Sequence, residues 1–354
     1  MGDRPLREAL VSLGAISGNV ETLRGAVGTG HTMAVVKADG YGHGAVPSAR
    51  AALEGGADWL GVADIAEALE LRAAGIGAPI LAWLHHPGTD FVAAVEAGVD
   101  IGVNYPAQLE RAASAGSPGR PARVQLKVDT GLGRNGAGIA DWSRLFAQAA
   151  EARRNRRIEL TGLFSHLANA GEQEDLAQVR LLEQAIEAAD EAGLSFPLVH
   201  LAATAGALGL PSARFDMVRL GIGIYGLSPF EEPAGVRLRP AMELSAEIVA
   251  VSTEPARTIA TVALGSADGL PRRGSASGEV SIAGARHPLV SAVGLDSLQV
   301  DLGADTAWVG DRAVIFGDPA EGVPAADDWA AAAGTINYEI VTRLGPSVAR
   351  RYRP

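Results

Sequence analysis

Residues 34–45 of this chain read AVVKADGYGHGA, an apolar run that ends at Lys37 and passes into a glycine-rich turn carrying Tyr41. A lysine at the end of a buried strand is costly to remove from water unless the site makes use of it. Buried lysines of lowered pKa serve as covalent nucleophiles towards carbonyl compounds. Taken alone, the stretch also fits a surface lysine just beyond a strand, so the choice depends on the rest of the chain.

Apolar runs of similar length recur along the chain and alternate with stretches of helical periodicity, among them 64–74, 105–115, 142–153 and 172–192. Continuous apolar strands that alternate with helices are typical of parallel sheets buried on both faces. Eight alternations predict an α/β fold, a (β/α)8 TIM barrel. The eight runs are residues 33–36, 59–62, 79–83, 99–103, 122–128, 159–164, 198–201 and 216–219.

The pattern changes near residues 230–233, beyond which helices give way to short strand-like runs separated by glycine and proline. Such runs predict a smaller all-β second domain. The sequence therefore predicts a barrel domain over residues 1–232 and a β domain over residues 233–354. The strand-like runs are 242–251, 258–264, 279–282, 289–293 and 313–316, with a short helix predicted at 327–333 and a final strand at 338–343.

The composition argues against several classes of function. The 354 residues are 47% hydrophobic and 20% charged, and the net charge of −11 argues against nucleic acids and anionic membranes as partners. The chain has no cysteine, and its seven histidines lack the spacing of a metal site, so neither a disulfide nor a metal is expected. We find no cationic–apolar leader and no apolar run of roughly 18 residues, so we expect a cytoplasmic protein.

Polar and glycine residues follow several of the predicted strands at their carboxyl ends. In a (β/α)8 barrel these ends meet at one mouth, where the active residues lie. Glycines after the last strand suit a phosphate group, because their exposed N–H groups allow close approach. The candidates, in chain order, are Lys37, Asp129, Arg134, His166, Thr204, Arg219 and the run Gly221-Ile222-Gly223.

Several segments, in this order, resemble the motifs of the alanine racemase family, which are pyridoxal phosphate enzymes built on a barrel. The lysine segment VVKADGYGHGA at residues 35–45 comes first, and LKVDTGLGR at residues 126–134 follows. SHLA at 165–168, VRLGIGIYG at 218–226 and INYEI at 336–340 complete the match. The resemblance covers most of the chain and implies a fold type III pyridoxal phosphate enzyme that acts on a small-molecule amino acid.

The resemblance implies a role for each matching residue. Lys37 would hold pyridoxal 5'-phosphate covalently, and Arg219 would face its pyridine nitrogen. Arg134 would bind the substrate carboxylate and would itself be held by Lys127, which stands where the family carries a carbamylated lysine. His166 would orient a catalytic tyrosine. The phosphate would be bound by hydroxyl groups and amides, those of Tyr41, Thr204, Tyr338, Gly221 and Ile222.

The second domain departs from the family at a position that carries chemistry. Racemisation by two bases needs an acid or base on each face of the substrate, and the family takes the second, a tyrosine, from a GYxDGxPR segment of the partner subunit. Residues 264–273 read LGSADGLPRR, so Ser266 takes the place of this catalytic tyrosine. Leu295 and Asp296 match the Met-Asp pair on the substrate side. Loss of one positioned acid or base typically slows a reaction by ~10²–10⁴.

Three interpretations of the missing tyrosine stay open. The first is altered chemistry on a larger amino acid, which the retention of every cofactor residue favours. The reaction would be either Cα–Cβ cleavage or formation, in which His166 takes the hydroxyl proton, or proton transfer by one base, Lys37. The second interpretation is a racemase in which water or another side chain replaces the tyrosine. The third is a non-catalytic homologue that binds pyridoxal phosphate. In each case the resemblance implies a homodimer with shared active sites, because Ser266 belongs to the segment that serves the partner's barrel.

Overall fold

Eight parallel strands close into a barrel, as the alternating apolar runs predict. The structure is a computed structural model that describes residues 4–230, 235–255, 257–273 and 277–354. Each barrel strand pairs with its neighbours in chain order, and the last strand pairs with the first. After an initial strand β1 (Arg7–Ser12), the barrel strands are β2 (His31–Val35), β3 (Trp59–Val62), β4 (Ile80–Ala82), β5 (Asp100–Val103), β6 (Ala122–Lys127), β7 (Ile158–Phe164), β8 (Val199–Ala203) and β9 (Met217–Leu220).

Helices connect the successive barrel strands. Asp64 caps the helix after β3, because its carboxylate accepts the N–H of Glu67 at 3.0 Å. Among the helices of the described ranges, none combines the length and the apolar composition needed to cross a membrane. The helices are α1 (Leu13–Val27), α2 (Lys37–Tyr41), α3 (Ala45–Glu54), α4 (Ile65–Ala73), α5 (Val92–Glu96), α6 (Pro106–Ala115), α7 (Ile139–Arg154), α8 (Glu172–Glu191) and α9 (Thr204–Gly209), with 3-10 turns at Pro211–Ala213 and Ile222–Tyr225.

The barrel strands are buried on both faces, which explains their continuous apolar sequences. All of β3 is buried, and Leu81 and Ile101 are completely excluded from water. Charged side chains nevertheless enter the barrel, since Lys127 and Arg219 are each only 4% exposed. A buried charge must be paired or hydrogen-bonded. These two positions therefore mark a region where packing gives way to a polar site.

The second sheet is formed mainly by the chain beyond the barrel, and β1 is inserted into it. β1 pairs antiparallel with β10 (Met242–Glu254) and parallel with β16 (Ala349–Arg353), so the first strand of the chain lies outside the barrel that follows it. The predicted division between residues 232 and 233 falls outside the described residues and stays a prediction. The remaining elements are β11 (Arg257–Val262), β12 (Glu279–Ile282), β13 (Ala285–Pro288), β14 (Leu298–Gly303), β15 (Arg312–Phe316), α10 (Ala326–Ala333) and α11 (Asn337–Thr342), with 3-10 turns at Ser266–Asp268 and Pro319–Glu321.

Two of the strands predicted in the second domain are wrong. Residues 338–343 lie mostly in helix α11 rather than in a final strand, because the buried side chains Asn337, Ile340 and Val341 recur with helical spacing. Residues 289–293 form only an isolated bridge instead of a strand. The final strand is β16, which was not predicted from the sequence, because its residues, ARRYR, are mostly charged and show no apolar pattern; in the structure none of them is fully buried.

Candidate functional site

Lys37 follows the carboxyl end of β2 and begins a left-handed turn. Ala38, Asp39 and Gly40 have φ angles of 53°, 52° and 60°, so α2 is wound in the left-handed sense. This conformation costs roughly 1–2 kcal/mol for each residue other than glycine, so neighbouring groups must hold it. The carboxylate of Glu67 does so, because it accepts the N–H of Ala38 at 2.6 Å and thereby ties the turn to helix α4.

The amine of Lys37 is half-buried and lies 5.9 Å from the centre of the Tyr41 ring. Burial lowers the pKa of Lys37, the positive charge of Arg134 lowers it further, and Glu67 acts in the opposite direction. A lowered pKa leaves more of the amine neutral, which is the form that attacks a carbonyl group or accepts a proton. The surroundings of this lysine therefore suit covalent and base chemistry.

The residues expected to bind phosphate meet beside the lysine turn. The ring centres of Tyr41 and Tyr338 are 6.1 Å apart, and the N–H of Gly221 donates to the hydroxyl of Thr204 at 3.0 Å. A Cβ at Gly221 would stand 2.7 Å from the Tyr41 hydroxyl, so a larger residue would displace that hydroxyl. Ile222 opens a 3-10 turn, whose first N–H groups have no partner within the turn. Burial raises the pKa of both tyrosines, that of Tyr338 to about 12, so their hydroxyl groups stay protonated and can donate hydrogen bonds.

Arg219 is almost wholly buried, and protein acceptors engage two of its three side-chain nitrogens. Nη1 donates to Nδ1 of His200 at 2.6 Å. Nη2 donates to the carbonyl oxygens of Ser165 and Leu201, each at 2.8 Å, and lies 3.1 Å from Nδ1 of His166. Within the described ranges Nε makes no hydrogen bond, which leaves this N–H available to a bound molecule.

His166 is suited to donate a hydrogen bond and poorly suited to accept a proton. Its Nδ1 faces Nη2 of Arg219, a group that only donates, so the neutral ring carries its hydrogen on Nε2. Burial, followed by the charges of Arg219 and Arg134, lowers the pKa of His166 to about 2. The ring is therefore a neutral donor at Nε2 over the whole physiological range of pH.

Lys127 and Arg134 add to the positive charge at the barrel mouth. Lys127 is 4% exposed, and its amine donates to the side-chain oxygen of Asn135. Burial, followed by the charges of Arg219 and Arg134, lowers the pKa of Lys127 to about 7. Burial and Arg134 likewise lower the pKa of Arg219 to about 9. Because cations depress one another's pKa values here, the site carries an excess of positive charge and suits an anionic ligand.

Both lysines of this protein lie at the candidate site. The chain contains two lysines among its 354 residues, Lys37 and Lys127, and both lie at the carboxyl ends of barrel strands. All other permanently cationic side chains are arginines, which do not perform amine chemistry. Side-chain amine chemistry is therefore confined to this one site.

Ser266, Leu295 and Asp296 of the second domain lie together, apart from the barrel residues, whereas Tyr338 of the same domain lies beside Tyr41. The N–H of Ser266 donates to the Gly294 carbonyl at 2.9 Å, and the N–H of Ala267 donates to the Leu295 carbonyl at 2.8 Å. Leu295 is 70% exposed, and Asp296 is exposed as well. In the part of the chain that the structure describes, no hydrogen bond or ion pair joins Ser266, Leu295 or Asp296 to the barrel mouth. The candidates thus form two separate groups within one chain.

The structure adds three residues that the sequence reasoning missed. Glu67 holds the lysine turn, His200 accepts a hydrogen bond from Arg219, and Gln125 accepts one from His200 at 2.7 Å. Gln125 and His200 are completely buried. Each is a polar residue inside a predicted apolar strand, and buried polar groups need partners. That mismatch was the signal that could have revealed them.

Comparison with known proteins points to one family. Residues 11–229 match the profile "Alanine racemase, N-terminal domain", and residues 244–352 match "Alanine racemase, C-terminal domain". The alanine racemase of Thermobifida fusca (strain YX) is 46% identical over 364 aligned positions, which cover 98% of this chain and 97% of that protein. The crystal structure of alanine racemase from Streptomyces lavendulae has a TM-score of 0.95 and 41% identity, covering 99% of this chain and 98% of that one. The alanine racemase structure from Streptomyces coelicolor A3(2) has a TM-score of 0.94 and 41% identity, covering 98% and 97%.

Members of this family use pyridoxal 5'-phosphate, and the residues at the barrel mouth fit that group. The excess of positive charge suits its phosphate and its phenolic oxygen. The contact of Gly221 with Tyr41 and Thr204 forms a cradle that a side chain at residue 221 would disturb, and Nε of Arg219 is available to the ring nitrogen. Lys37 supplies the amine of lowered pKa. By its sequence, its fold and its cofactor site, the chain belongs to the alanine racemase family.

Proposed function

We propose that this protein is an amino-acid racemase that acts, with pyridoxal 5'-phosphate, on alanine or an amino acid of similar size. The observation that carries the proposal is the complete group of cofactor-binding residues around Lys37, in a chain whose relatives are alanine racemases. Bound pyridoxal phosphate withdraws electrons from the amino acid and makes its α-hydrogen acidic. The residues of the chain bind the substrate and move that proton.

Lys37 is the base on one face of the substrate. Burial and the charge of Arg134 lower its pKa, so its neutral amine can take the α-proton and return it. Arg219 would keep its own proton and would offer its Nε–H to the ring nitrogen, so it would not protonate that nitrogen. An unprotonated ring nitrogen is a weaker electron sink, which favours proton transfer over transamination.

Ser266 leaves the second face without a side chain that can replace a tyrosine. A serine hydroxyl is much shorter than the phenol of tyrosine, and its acidity is far weaker. A missing tyrosine opens a space, since the ring buries ~150–250 Å². We propose that water fills this space and carries the proton on the second face. The protein is then a slow racemase rather than an inactive one.

A carbon–carbon lyase, the interpretation favoured by the sequence alone, finds no support. It needs His166 to take the hydroxyl proton of the substrate. The Nδ1 atom of His166 faces the guanidinium of Arg219, and its pKa is lowered to about 2, so the ring is a donor and not a base. The relatives are named alanine racemases, which also favours a racemase.

We also propose a head-to-tail homodimer in which each barrel mouth is completed by the second domain of the other subunit. Within the described residues no hydrogen bond or ion pair joins Ser266, Leu295 or Asp296 to the mouth of their own barrel, and Leu295 leaves 70% of its surface exposed. Exposed large apolar side chains beside a functional loop are typical of an interface. A partner domain over the mouth would also exclude water from the reacting groups.

Lys127 is proposed to carry a carbamate. Its pKa of about 7 leaves much of the amine neutral near neutral pH, and the neutral amine is the form that adds carbon dioxide. A positive Lys127 would repel Arg134, whereas a negative carbamate would attract it. Arg134 would then be held in place to bind the substrate carboxylate as a charged, bidentate donor.

Lys127→Ala is expected to lower kcat/KM about ten- to a hundredfold, the cost of losing a charged hydrogen bond that positions Arg134. With ¹³C-bicarbonate, carbon NMR should show a carbamate signal in the native protein that is lost in the variant. The signal should grow as the pH rises through the pKa of Lys127, because protons compete with carbon dioxide for the amine. Lys37→Ala is the matched control and should keep the signal, since the chain has two lysines. A native protein without the signal contradicts the proposal.

Incubation with L-alanine is expected to produce D-alanine slowly, with a rate ~10²–10⁴ below that of an enzyme with a base on both faces. In heavy water one enantiomer should exchange its α-hydrogen faster than it inverts, because Lys37 returns a proton only to its own face. Chiral chromatography measures inversion, and mass spectrometry measures exchange. Threonine isomers are incubated in parallel, and release of an aldehyde from them would support the lyase instead. Absence of exchange with every amino acid would leave a non-catalytic cofactor binder.

A further inference from the structure

A row of hydrogen-bonded polar side chains crosses the interior of the barrel from Arg219 towards the opposite end. Nη1 of Arg219 donates to Nδ1 of His200 at 2.6 Å, and Nε2 of His200 lies 2.7 Å from Oε1 of Gln125. Nε2 of Gln125 donates to Oδ2 of Asp100 at 3.3 Å. Gln125 and His200 are 0% exposed, Asp100 is 1% exposed and Arg219 is 4% exposed. These side chains come from β9, β8, β6 and β5, and Asp100 begins its strand, so it lies at the end of the barrel remote from Lys37.

Because Arg219 can only donate, it determines which nitrogen or oxygen of each side chain in this row carries a hydrogen. A guanidinium group only donates, so Nδ1 of His200 must accept. The neutral ring then carries its hydrogen on Nε2, and Gln125 must present its oxygen to that N–H. The amide nitrogen of Gln125 consequently faces Asp100, whose ionised carboxylate only accepts. Each orientation follows from the one before it.

Asp100 is held as an acceptor from three sides. The hydroxyl of Thr161 donates to Oδ2 at 2.6 Å, and Nε of Arg123 donates to Oδ1 at 2.6 Å. Burial raises the pKa of Asp100, and these donors, together with Gln125, act in the opposite direction. Because Thr161 and Arg123 both donate to Asp100 and so fix it as an acceptor, the amide of Gln125 is stable only with its nitrogen towards Asp100. Asp100, at the far end of the row, therefore favours the same orientation of the Gln125 amide that Arg219 requires.

We propose that Gln125 and Asp100 are positioning residues that hold His200 as the neutral Nε2–H tautomer and thereby keep Arg219 a charged donor at the cofactor. If the amide of Gln125 turned over, two N–H groups would meet between Gln125 and His200. His200 would then have to move its hydrogen to Nδ1, where it would point at the guanidinium and displace it. The role at the cofactor rests on the proposed function, whereas the tautomer of His200 is a property of the protein without cofactor.

The first test is the protonation of His200 in the cofactor-free protein. Nitrogen NMR of protein labelled with ¹⁵N-histidine is expected to show His200 as one neutral tautomer with hydrogen on Nε2, and without titration between about pH 6 and pH 9. The chain has seven histidines, and His200→Gln identifies the signal by its loss. A charged His200, or a neutral one with hydrogen on Nδ1, overturns the proposal. This measurement needs no variant of Gln125 and no activity.

The second test compares two buried glutamines. Gln125→Leu is expected to weaken the binding of pyridoxal phosphate about ten- to a hundredfold and to lower kcat, with KM for the amino acid nearly unchanged. Gln108→Leu is the matched control, because Gln108 is 2% exposed and hydrogen-bonded to Asn104 at 2.9 Å but has no described link to Arg219. The control should lose stability and keep its cofactor affinity. Equal cofactor affinity in the two variants overturns the proposal.

Asp100→Asn gives an independent result if Gln125→Leu does not fold. Asparagine has the same shape as aspartate but both donates and accepts, so it no longer selects one orientation of Gln125. His200 is then expected to show both neutral tautomers in the nitrogen spectrum, and one unchanged tautomer contradicts the role of Asp100. A native protein that takes up no pyridoxal phosphate through Lys37 overturns the proposed function instead, while the signal of His200 still reports on the row.

Discussion

Lys37→Ala is expected to abolish covalent binding of pyridoxal phosphate and to lower the rate of α-hydrogen exchange by at least ~10⁴, about 5 kcal/mol of activation free energy. The variant loses in one substitution both the amine proposed to anchor the cofactor and the proposed base on one face. Lys127 cannot take over, because it is 4% exposed and its amine is engaged with Asn135. The measurements are the yellow colour of the purified protein and the exchange of the α-hydrogen in heavy water.

Borohydride reduction tests which amine of the protein holds the cofactor. Reduction should fix the cofactor on Lys37 in the native protein, and the chain offers one alternative side-chain amine, Lys127. Lys127→Arg is the control: it removes that alternative amine, puts a positive charge in place of the proposed carbamate, and should still be labelled at Lys37. Lys37→Arg keeps a positive charge at the first site but should take no label. A label on residue 127, or a colourless native protein, would refute the central role of Lys37.

The barrel could be predicted from the sequence because its strands carry the simplest signal. A strand buried on both faces is apolar at most positions, and β3, at Trp59–Val62, coincides with the run that predicts it. Strands of the second domain are harder to recognise. β16 has the sequence ARRYR with no fully buried position, and its partner β1 precedes the barrel by sequence but pairs across the second sheet. Such pairing depends on tertiary contacts that a local pattern does not contain.

Site residues that follow the end of a strand could be predicted from the sequence, whereas site residues inside a strand could not. Lys37 and Thr204 follow strand ends, which a barrel necessarily brings to one mouth. His200 and Gln125 lie within strands, and their importance depends on which neighbour each one faces. Glu67 is a helix residue whose sequence suggests only a capping role, yet it accepts the N–H of Ala38 beside the lysine. The spacing of residues along the sequence does not predict such contacts between different secondary-structure elements.

The charged neighbours of Lys37 and Lys127 explain why the two lysines differ in basicity and are proposed to have different roles. Both lose basicity through burial and through nearby arginines, but Glu67 partly restores the basicity of Lys37. Lys127 has Arg219 as its strongest charged neighbour, and the weaker effect of Asp129 does not offset it. A lysine among cations is stabilised by becoming neutral or negative. The same reasoning favours an anionic cofactor over a neutral one at this mouth.

Ser266→Tyr is expected to raise the rate of alanine racemisation by ~10²–10⁴, because it restores an acid or base on the second face. The backbone around residue 266 can carry the larger side chain. The turn Ser266–Asp268 is fixed by Asp268, which accepts the N–H of Gly265 at 2.9 Å and the hydroxyl of Ser347. Ser266 itself is only half-buried, and Ala267 beside it is exposed. Thermal stability of the variant should therefore stay close to that of the native protein.

Ser266→Phe is the matched control for Ser266→Tyr. Phenylalanine fills the same space and excludes the same water but has no hydroxyl group, so it should racemise alanine no faster than the native protein. If the tyrosine and phenylalanine variants gain equally, the gain comes from closing the site and not from a second acid or base. If neither gains, the water proposed at this face is not what limits the reaction.

A mixed dimer tests whether the tyrosine acts across the subunit interface. One subunit carries Lys37→Ala together with Ser266→Tyr, and the other is native, so a fast site requires Lys37 of one chain and the tyrosine of the other. In a head-to-tail dimer the purified mixed dimer has one fast site of two and should approach half the activity of the Ser266→Tyr homodimer. Within a single chain the two residues belong to separate groups, since no hydrogen bond or ion pair of the described residues joins the Ser266 turn to the barrel mouth. Mixed dimers no faster than the native protein would show that the second domain serves its own barrel, and light scattering that finds a monomer would refute the shared site altogether.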